Sequence, residues 1–371
     1  MTILIILGTR PEGIKFAPLI KKLQSEREFD VKVCVTGQHK EMLQQVLDFF
    51  GIQPEFDLKL MRKNQDLYTL TSNVLLELKG VMDSVKPDLV FVQGDTTTAF
   101  IGGLAAFYSK VRVAHLEAGL RSGDRFSPFP EEVNRKLLSV VTDLHFAPTP
   151  KAANNLTSEG YCEGIYIVGN TVIDALLLGL DTIKKTNEKE IAAKFPFLNE
   201  GKRTILVTSH RRESFGDPFE RICESLLTIV NNNEDVNIVY PVHLNPNVQE
   251  VVYRVLNGHP RINLISPLDY PSLIWLMSQV FLVVTDSGGI QEEAPSLGKP
   301  VVVLREVTER VEGIESGTAI LVGTDKNLIV DTVQSLLDNR DNVYDKMAKA
   351  VNPYGDGTTS NQITNILKTL K

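Results

Sequence analysis

Residues 3–7, ILIIL, run without a break into residues 8–15, GTRPEGIK, and from there into Phe16, Leu19, Ile20 and Leu23 at helical spacing. A continuous apolar run that passes through a glycine-bearing turn into a 3.6-residue period is a strand entering a helix. A strand without polar alternation is one buried on both faces, the condition of a parallel sheet covered by helices. The same unit recurs: apolar, β-branched runs at residues 31–36, 89–93, 111–115, 144–147 and 165–168 alternate with helical patterns. Residues 168–181 read as a boundary helix and the charged stretch 184–194 as a connection, after which a second series begins at 204–208, 236–241, 262–266, 281–285 and 300–304. The expected fold is therefore α/β, two Rossmann-like doubly wound domains with a cleft between them. The first is expected over residues 1–169 together with a terminal helix at 357–371, and the second over 170–356. In such folds the ligand loops lie at the carboxyl ends of the strands.

A chain of 371 residues has room for two such cores. Hydrophobic residues make up 43% and charged residues 23%, with no apolar run long enough to span a bilayer. The start of the chain lacks a basic leader and reads as a buried strand, so a cytoplasmic protein is expected. Cys34, Cys162 and Cys223 are far apart and without CxxC spacing, which excludes a disulfide framework or a cysteine zinc site from the reading. With 39 Lys and Arg against 46 Asp and Glu, the formal charge of −7 offers no whole-chain attraction to nucleic acid or an anionic membrane. Anion binding must be local.

Local candidates sit just past strand ends. The Gly8–Lys15 turn offers backbone N–H groups and a helix start to an anion, with Arg10 and Lys15 adding charge; it is neither GxGxxG nor a Walker A loop. Asp95, in QGDTTT, and Glu117, in HLEAGLR, follow the next two strands of the series. Asp95 fits equally well as the cap of a helix starting near Thr97. Glu117, between apolar strand residues and a glycine turn, is oddly placed for a merely solvated charge. Glu131 and Glu132 follow two prolines at a helix start, where acids also suit the helix dipole. Asp95, Glu117 and Glu131 give one domain edge three carboxylates, material for general acid and base chemistry.

In the second series, strand 204–208 ends in SHRRESFG, so that His210 and Arg211 stand where a phosphate or leaving group can be held. His243 ends the following strand in the same way, with a structural role as the alternative. The segment TDSGGIQEEAPSLGKP, residues 285–300, is the most specific: Ser287, Gly288 and Gly289 open a helix fit for a diphosphate, and an acid within two turns can accept ribose hydroxyls. Arg310 follows the next strand.

Taken together, GTRPEGIK, GDTTT, EAGLRSGD, SPFPEE, SHRRESFG, YPVHLNPNV, TDSGGIQEEAPSLGKP and NPYGDG resemble the non-hydrolysing UDP-N-acetylglucosamine 2-epimerases, in order and over nearly the whole chain. The resemblance implies a GT-B-like pair of Rossmann-like domains, a homodimer, and no redox cofactor or metal. It implies reversible conversion of UDP-GlcNAc to UDP-ManNAc through a 2-acetamidoglucal, feeding surface polysaccharide synthesis. By position, Asp95, Glu117 and Glu131 resemble the essential carboxylates and His210 the essential histidine. Arg10, Lys15, Ser287, Gly288, Gly289, Glu293 and Arg310 resemble the nucleotide contacts, with Glu293 on the ribose. Gln38, His39, Arg211 and His243 match the place where bacterial members bind a second UDP-GlcNAc as activator, although Glu41 and Asn64 depart from regulated members. Val311 stands where proline is commoner. The rival readings are a hydrolysing epimerase, a glycosyltransferase of the same architecture, and a nucleotide-sugar sensor without turnover.

Overall fold

The strand series forms two parallel sheets. In the first, β1 (Thr2–Leu7), β2 (Asp30–Val35), β3 (Phe56–Asp57), β4 (Leu89–Gln93), β5 (Arg112–Leu116), β6 (Leu144–Ala147) and β7 (Ile165–Ile167) lie in the order β3-β2-β1-β4-β5-β6-β7. In the second, β8 (Arg203–Thr208), β9 (Val236–Pro241), β10 (Ile262–Ile265), β11 (Leu282–Thr285), β12 (Val301–Val303) and β13 (Ala319–Leu321) lie in the order β10-β9-β8-β11-β12-β13. This computed structural model describes residues 1–37, 40–60 and 66–370. The chain divides into two compact units, Met1–Leu178 with Tyr354–Lys371, and Gly179–Pro353. The sequence reading omits β3 and β13, edge strands too short to show a period.

Both sheets reverse their order at one point, between β1 and β4 and between β8 and β11. Neighbouring connections there leave for opposite faces, and the crevice they open beyond the carboxyl ends is where doubly wound folds hold ligands. Continuous apolar strands make this possible: Ile3, Leu4, Ile5, Ile6 and Leu7 are all fully buried, and so are Val283, Val284, Val301 and Val302. Thr9 precedes the helix Arg10–Gln24, which has Pro11 in its first turn, buries Phe16, Leu19, Ile20 and Leu23, and places Lys21 and Lys22 in its last turn. Gly8 is required by close approach, since a Cβ there would lie 2.5 Å from the hydroxyls of both Thr36 and Thr98.

The terminal helix Thr359–Thr369 belongs to the first unit and packs on helix Arg10–Gln24, with Ile363 and Leu367 fully buried. Its first N–H groups are met by a side chain: the buried Asp174 carboxylate accepts from Thr359 N at 3.3 Å and Ser360 N at 2.7 Å. Lys368 closes the other end on Glu26 at 2.6 Å. Among the described residues no helix is long and apolar enough to cross a membrane.

Candidate active site

At the β1/β4 switch point a buried acid ties two loops together. Glu12 accepts from Gly8 N at 2.9 Å and Thr9 N at 2.6 Å through one oxygen, and from the Thr96 hydroxyl at 2.7 Å through the other. Two of the N–H groups that the sequence reading offers to an anion are thus occupied. Burial pushes the Glu12 carboxyl above its ordinary pKa, against these bonds. Lys15, one turn further along the helix, points its ammonium at Glu117, 2.6 Å from each oxygen. Glu117 also receives Gln93 Nε2 and, at 3.1 Å, Asn170 Nδ2. It is buried and has a backbone φ of +66°, left-handed space that a residue with a Cβ occupies at a cost. One cation and two amides therefore aim an acid at a fixed point beyond β5.

Thr96, rather than Asp95, caps the helix Thr97–Tyr108, accepting from Ala99 N at 3.0 Å. The Asp95 carboxylate is left for Arg135, with contacts of 2.6 and 2.9 Å from the guanidinium. Arg135 lies on helix Glu131–Val141, the helix that Glu131 begins. Glu131 Oε2 is buried without a hydrogen-bond partner among the described residues. Its neighbour Glu132 is spent on structure, accepting from Ser122 N at 2.9 Å, Gly123 N at 3.3 Å and Arg135 at 3.1 Å. Burial opposes the Glu132 charge, but these donors outweigh it and hold the carboxyl below its ordinary pKa.

The β8/β11 switch point repeats the device. Asp286, fully buried after β11, accepts through Oδ2 from Ser209 Oγ at 3.0 Å, His210 N at 2.6 Å and Arg211 N at 2.8 Å, all after β8. Arg211 Nε returns to the Asp286 carbonyl at 3.0 Å. His210 is exposed and stacks on His243, ring centroids 5.0 Å apart and 10° from parallel. Burial, then the neighbouring His210, lowers the His243 pKa. Ser287, Gly288 and Gly289 form the turn that opens the short helix Gly288–Glu293. The Arg310 guanidinium lies against Gly288, where a Cβ would come within 3.2 Å of it, and it pairs with Glu292 at 2.9 Å and Glu309 at 3.1 Å. Glu293 is buried and accepts from the Tyr270 hydroxyl at 3.3 Å.

Each unit thus presents a fixed carboxylate or imidazole beside a basic group at the carboxyl ends of its sheet. The family model for UDP-N-acetylglucosamine 2-epimerase matches residues 21–368. The chain belongs to the UDP-N-acetylglucosamine 2-epimerase family. It is 51% identical over 371 residues to the UDP-N-acetylglucosamine 2-epimerase of Campylobacter jejuni, covering 98% of this chain and 97% of that one. Identity to the Escherichia coli K12 protein of that name is 50% over 371 residues, covering 99% and 98%. The crystal structure of UDP-GlcNAc 2-epimerase from Neisseria meningitidis bound to UDP-GlcNAc superposes with a TM-score of 0.91 at 45% identity, covering both chains completely.

In this epimerase-family chain the residues that reading of the sequence passes over are the partners. Gln93, Asn170, Arg135 and Asp286 each hold a candidate side chain, and the contacts of Asn170 and Arg135 span 53 and 40 positions. Asp286 had a signal, an acid directly after an apolar strand and before the Ser-Gly-Gly turn. Gln93, the polar last residue of β4, had a weaker one. Arg10 is half-buried on the first turn of its helix. Gln38, His39 and Asn64 lie outside the described residues.

Proposed function

We propose that this chain interconverts UDP-GlcNAc and UDP-ManNAc by elimination and re-addition of UDP, without hydrolysis, and so supplies a ManNAc-type sugar for surface polysaccharide. The observation that carries the reading is Glu117, a buried acid in left-handed backbone, held by Lys15, Gln93 and Asn170. A C2 hydrogen of a nucleotide sugar is not α to a carbonyl, so a base can remove it only as C1 loses its phosphate. The electron pair of the C2–H bond becomes the C1–C2 double bond, and UDP leaves with the electrons of the C1–O bond. Return of a proton to the other face of C2, with attack of UDP oxygen on C1, gives the epimer. No electron leaves the sugar, and no redox cofactor is required.

In this reading Glu117 and Asp95 are the acid and base at C2, and Glu131, whose buried Oε2 has no hydrogen-bond partner among the described residues, supports one of them. His210 assists departure of UDP. Arg10, Lys15, Ser287, Gly288, Gly289, Glu293 and Arg310 hold the nucleotide, Glu293 at the ribose hydroxyls. The buried acid beside Tyr270 and the guanidinium against the Ser-Gly-Gly turn support those assignments. Charge-assisted contacts to a departing diphosphate strengthen as its charge develops. Chromatography of UDP-GlcNAc incubated with the chain tests the proposal. Two UDP-sugars reaching the same ratio from either side are expected, whereas accumulation of free UDP and ManNAc contradicts it in favour of the hydrolysing reaction.

A further inference from the structure

Asp286 has one more oxygen than its loop requires. Oδ2 alone accepts the three donors that fix the loop after β8, from Ser209, His210 and Arg211. Oδ1 is buried and has no hydrogen-bond partner among the described residues, a costly state for a carboxylate oxygen. It lies 3.6 Å from His210 Nδ1, just beyond a hydrogen bond. The remaining freedom of the imidazole is small. His243 covers one face of the ring at 5.0 Å and 10° from parallel, and the backbone N of His210 is held by the same carboxylate at 2.6 Å. The edge that carries Nδ1 is thus the one turned to the Asp286 carboxylate, which leaves Nε2 on the other edge of the ring.

We propose that Asp286 is a positioning residue that fixes the tautomer of His210, holding the proton on Nδ1 so that Nε2 is the atom presented to the nucleotide. The inference rests on the reading of His210 as the group that meets the departing UDP. A neutral imidazole carries one ring proton, and the bond made by one nitrogen decides what the other can do. With Nδ1–H donating to Oδ1, Nε2 can take a proton from solvent, and the imidazolium so formed delivers that proton to a phosphate oxygen of the departing UDP and returns to the neutral ring with its proton on Nδ1. Asparagine at position 286 would keep a carbonyl oxygen toward the three loop donors but turn its NH2 toward Nδ1. That arrangement makes Nδ1 an acceptor and moves the ring proton to Nε2. Asp286 itself touches no reacting atom in this scheme.

The test is the tautomer itself, read by long-range 15N–1H correlation of the 15N-histidine-labelled full chain, with the His210 signals identified by their loss in His210→Asn. The neutral ring is expected to carry its proton on Nδ1. Asp286→Asn should move it to Nε2 and lower kcat by about 100-fold, with KM changed less. Ser209→Ala, which removes one donor to Oδ2 and leaves the Oδ1 edge intact, should keep the Nδ1 proton. A wild-type ring protonated on Nε2, or a tautomer unmoved in Asp286→Asn, overturns the proposal even if that variant is slow, because a purely structural loss would act through stability. The wild-type spectrum decides the matter if Asp286→Asn does not fold. Full turnover by His210→Asn would refute the catalytic reading of the histidine, and would do so whatever the tautomer.

Discussion

An acid that follows a strand at positive φ, and is then withdrawn from water, is costly twice over, in backbone strain and in desolvation. Glu117 bears both costs and offsets the second with Lys15 at 2.6 Å and two amide donors. The ion pair and the chemistry can be separated experimentally. Glu117→Gln keeps the shape but removes the charge that a largely buried Lys15 pairs with, and puts an amide NH2 where Glu117 only accepts. The expected loss is roughly 10²–10⁴-fold in kcat, together with about 3–5 kcal/mol of stability. Adding Lys15→Met should recover most of the stability and none of the turnover. Urea unfolding and initial rates on the single and double variants check both halves.

Between elements, each sheet reversal is crossed by one buried carboxylate: Glu12 reaches Thr96, and Asp286 reaches Ser209, His210 and Arg211. The two acids set the spacing of the loops that carry the candidate site residues. Glu12→Ala leaves the N–H groups of Gly8 and Thr9 without their acceptor and should cost roughly 2–4 kcal/mol. Glu12→Gln can still accept both bonds and should stay within about 1 kcal/mol of the parent. Denaturation curves for the pair measure the difference. These ties mark where the sequence stops being legible. Strand runs such as ILIIL and LVFVQ declare a buried parallel strand through local pattern, and Glu117 through the oddity of an acid in such a place. Asp95 fits a cap equally well until Thr96 is seen to hold Ala99 N, and Arg135 is then seen on its carboxylate. The side chains that hold the site, Asn170 on Glu117 and Arg135 on Asp95, come from 53 and 40 positions away, and no local period encodes such a pairing. Edge strands β3 and β13 escape for the opposite reason, since runs of two or three residues have no period to read.

The molecule as a whole should answer to acid through its first sheet. His115 and His145 are paired across β5 and β6, both buried. Burial, against the Gly94 carbonyl, drives the His115 pKa down to about 3; burial and then Arg121 drive that of His145 to about 4. An unfolded chain takes up a proton at each near pH 6.5, the ordinary histidine value, while the folded unit refuses both. The unfolded state therefore binds more protons below that pH, and stability must fall as pH falls. The expected slope between about pH 6 and pH 5 is up to roughly 1.4 kcal/mol per pH unit for each histidine. Glu12 and Asp174, raised by burial, act in the opposite sense: their folded carboxyls take up protons above the ordinary values of 4.5 and 3.8, and whatever part of that uptake falls between about pH 6 and pH 5 is subtracted from the histidine slope. Urea unfolding across that interval should show the slope, and His145→Gln should remove about half of it.

The central claim is that a proton leaves C2 and returns to it from solvent-exchanging groups of this chain. Proton NMR of UDP-GlcNAc incubated with the protein in deuterium oxide, with no nicotinamide cofactor added, tests it most directly. The account predicts that UDP-ManNAc appears and that both sugars acquire deuterium at C2 as equilibrium is approached. Epimerisation with the C2 proton retained, or no exchange by folded protein, would contradict it.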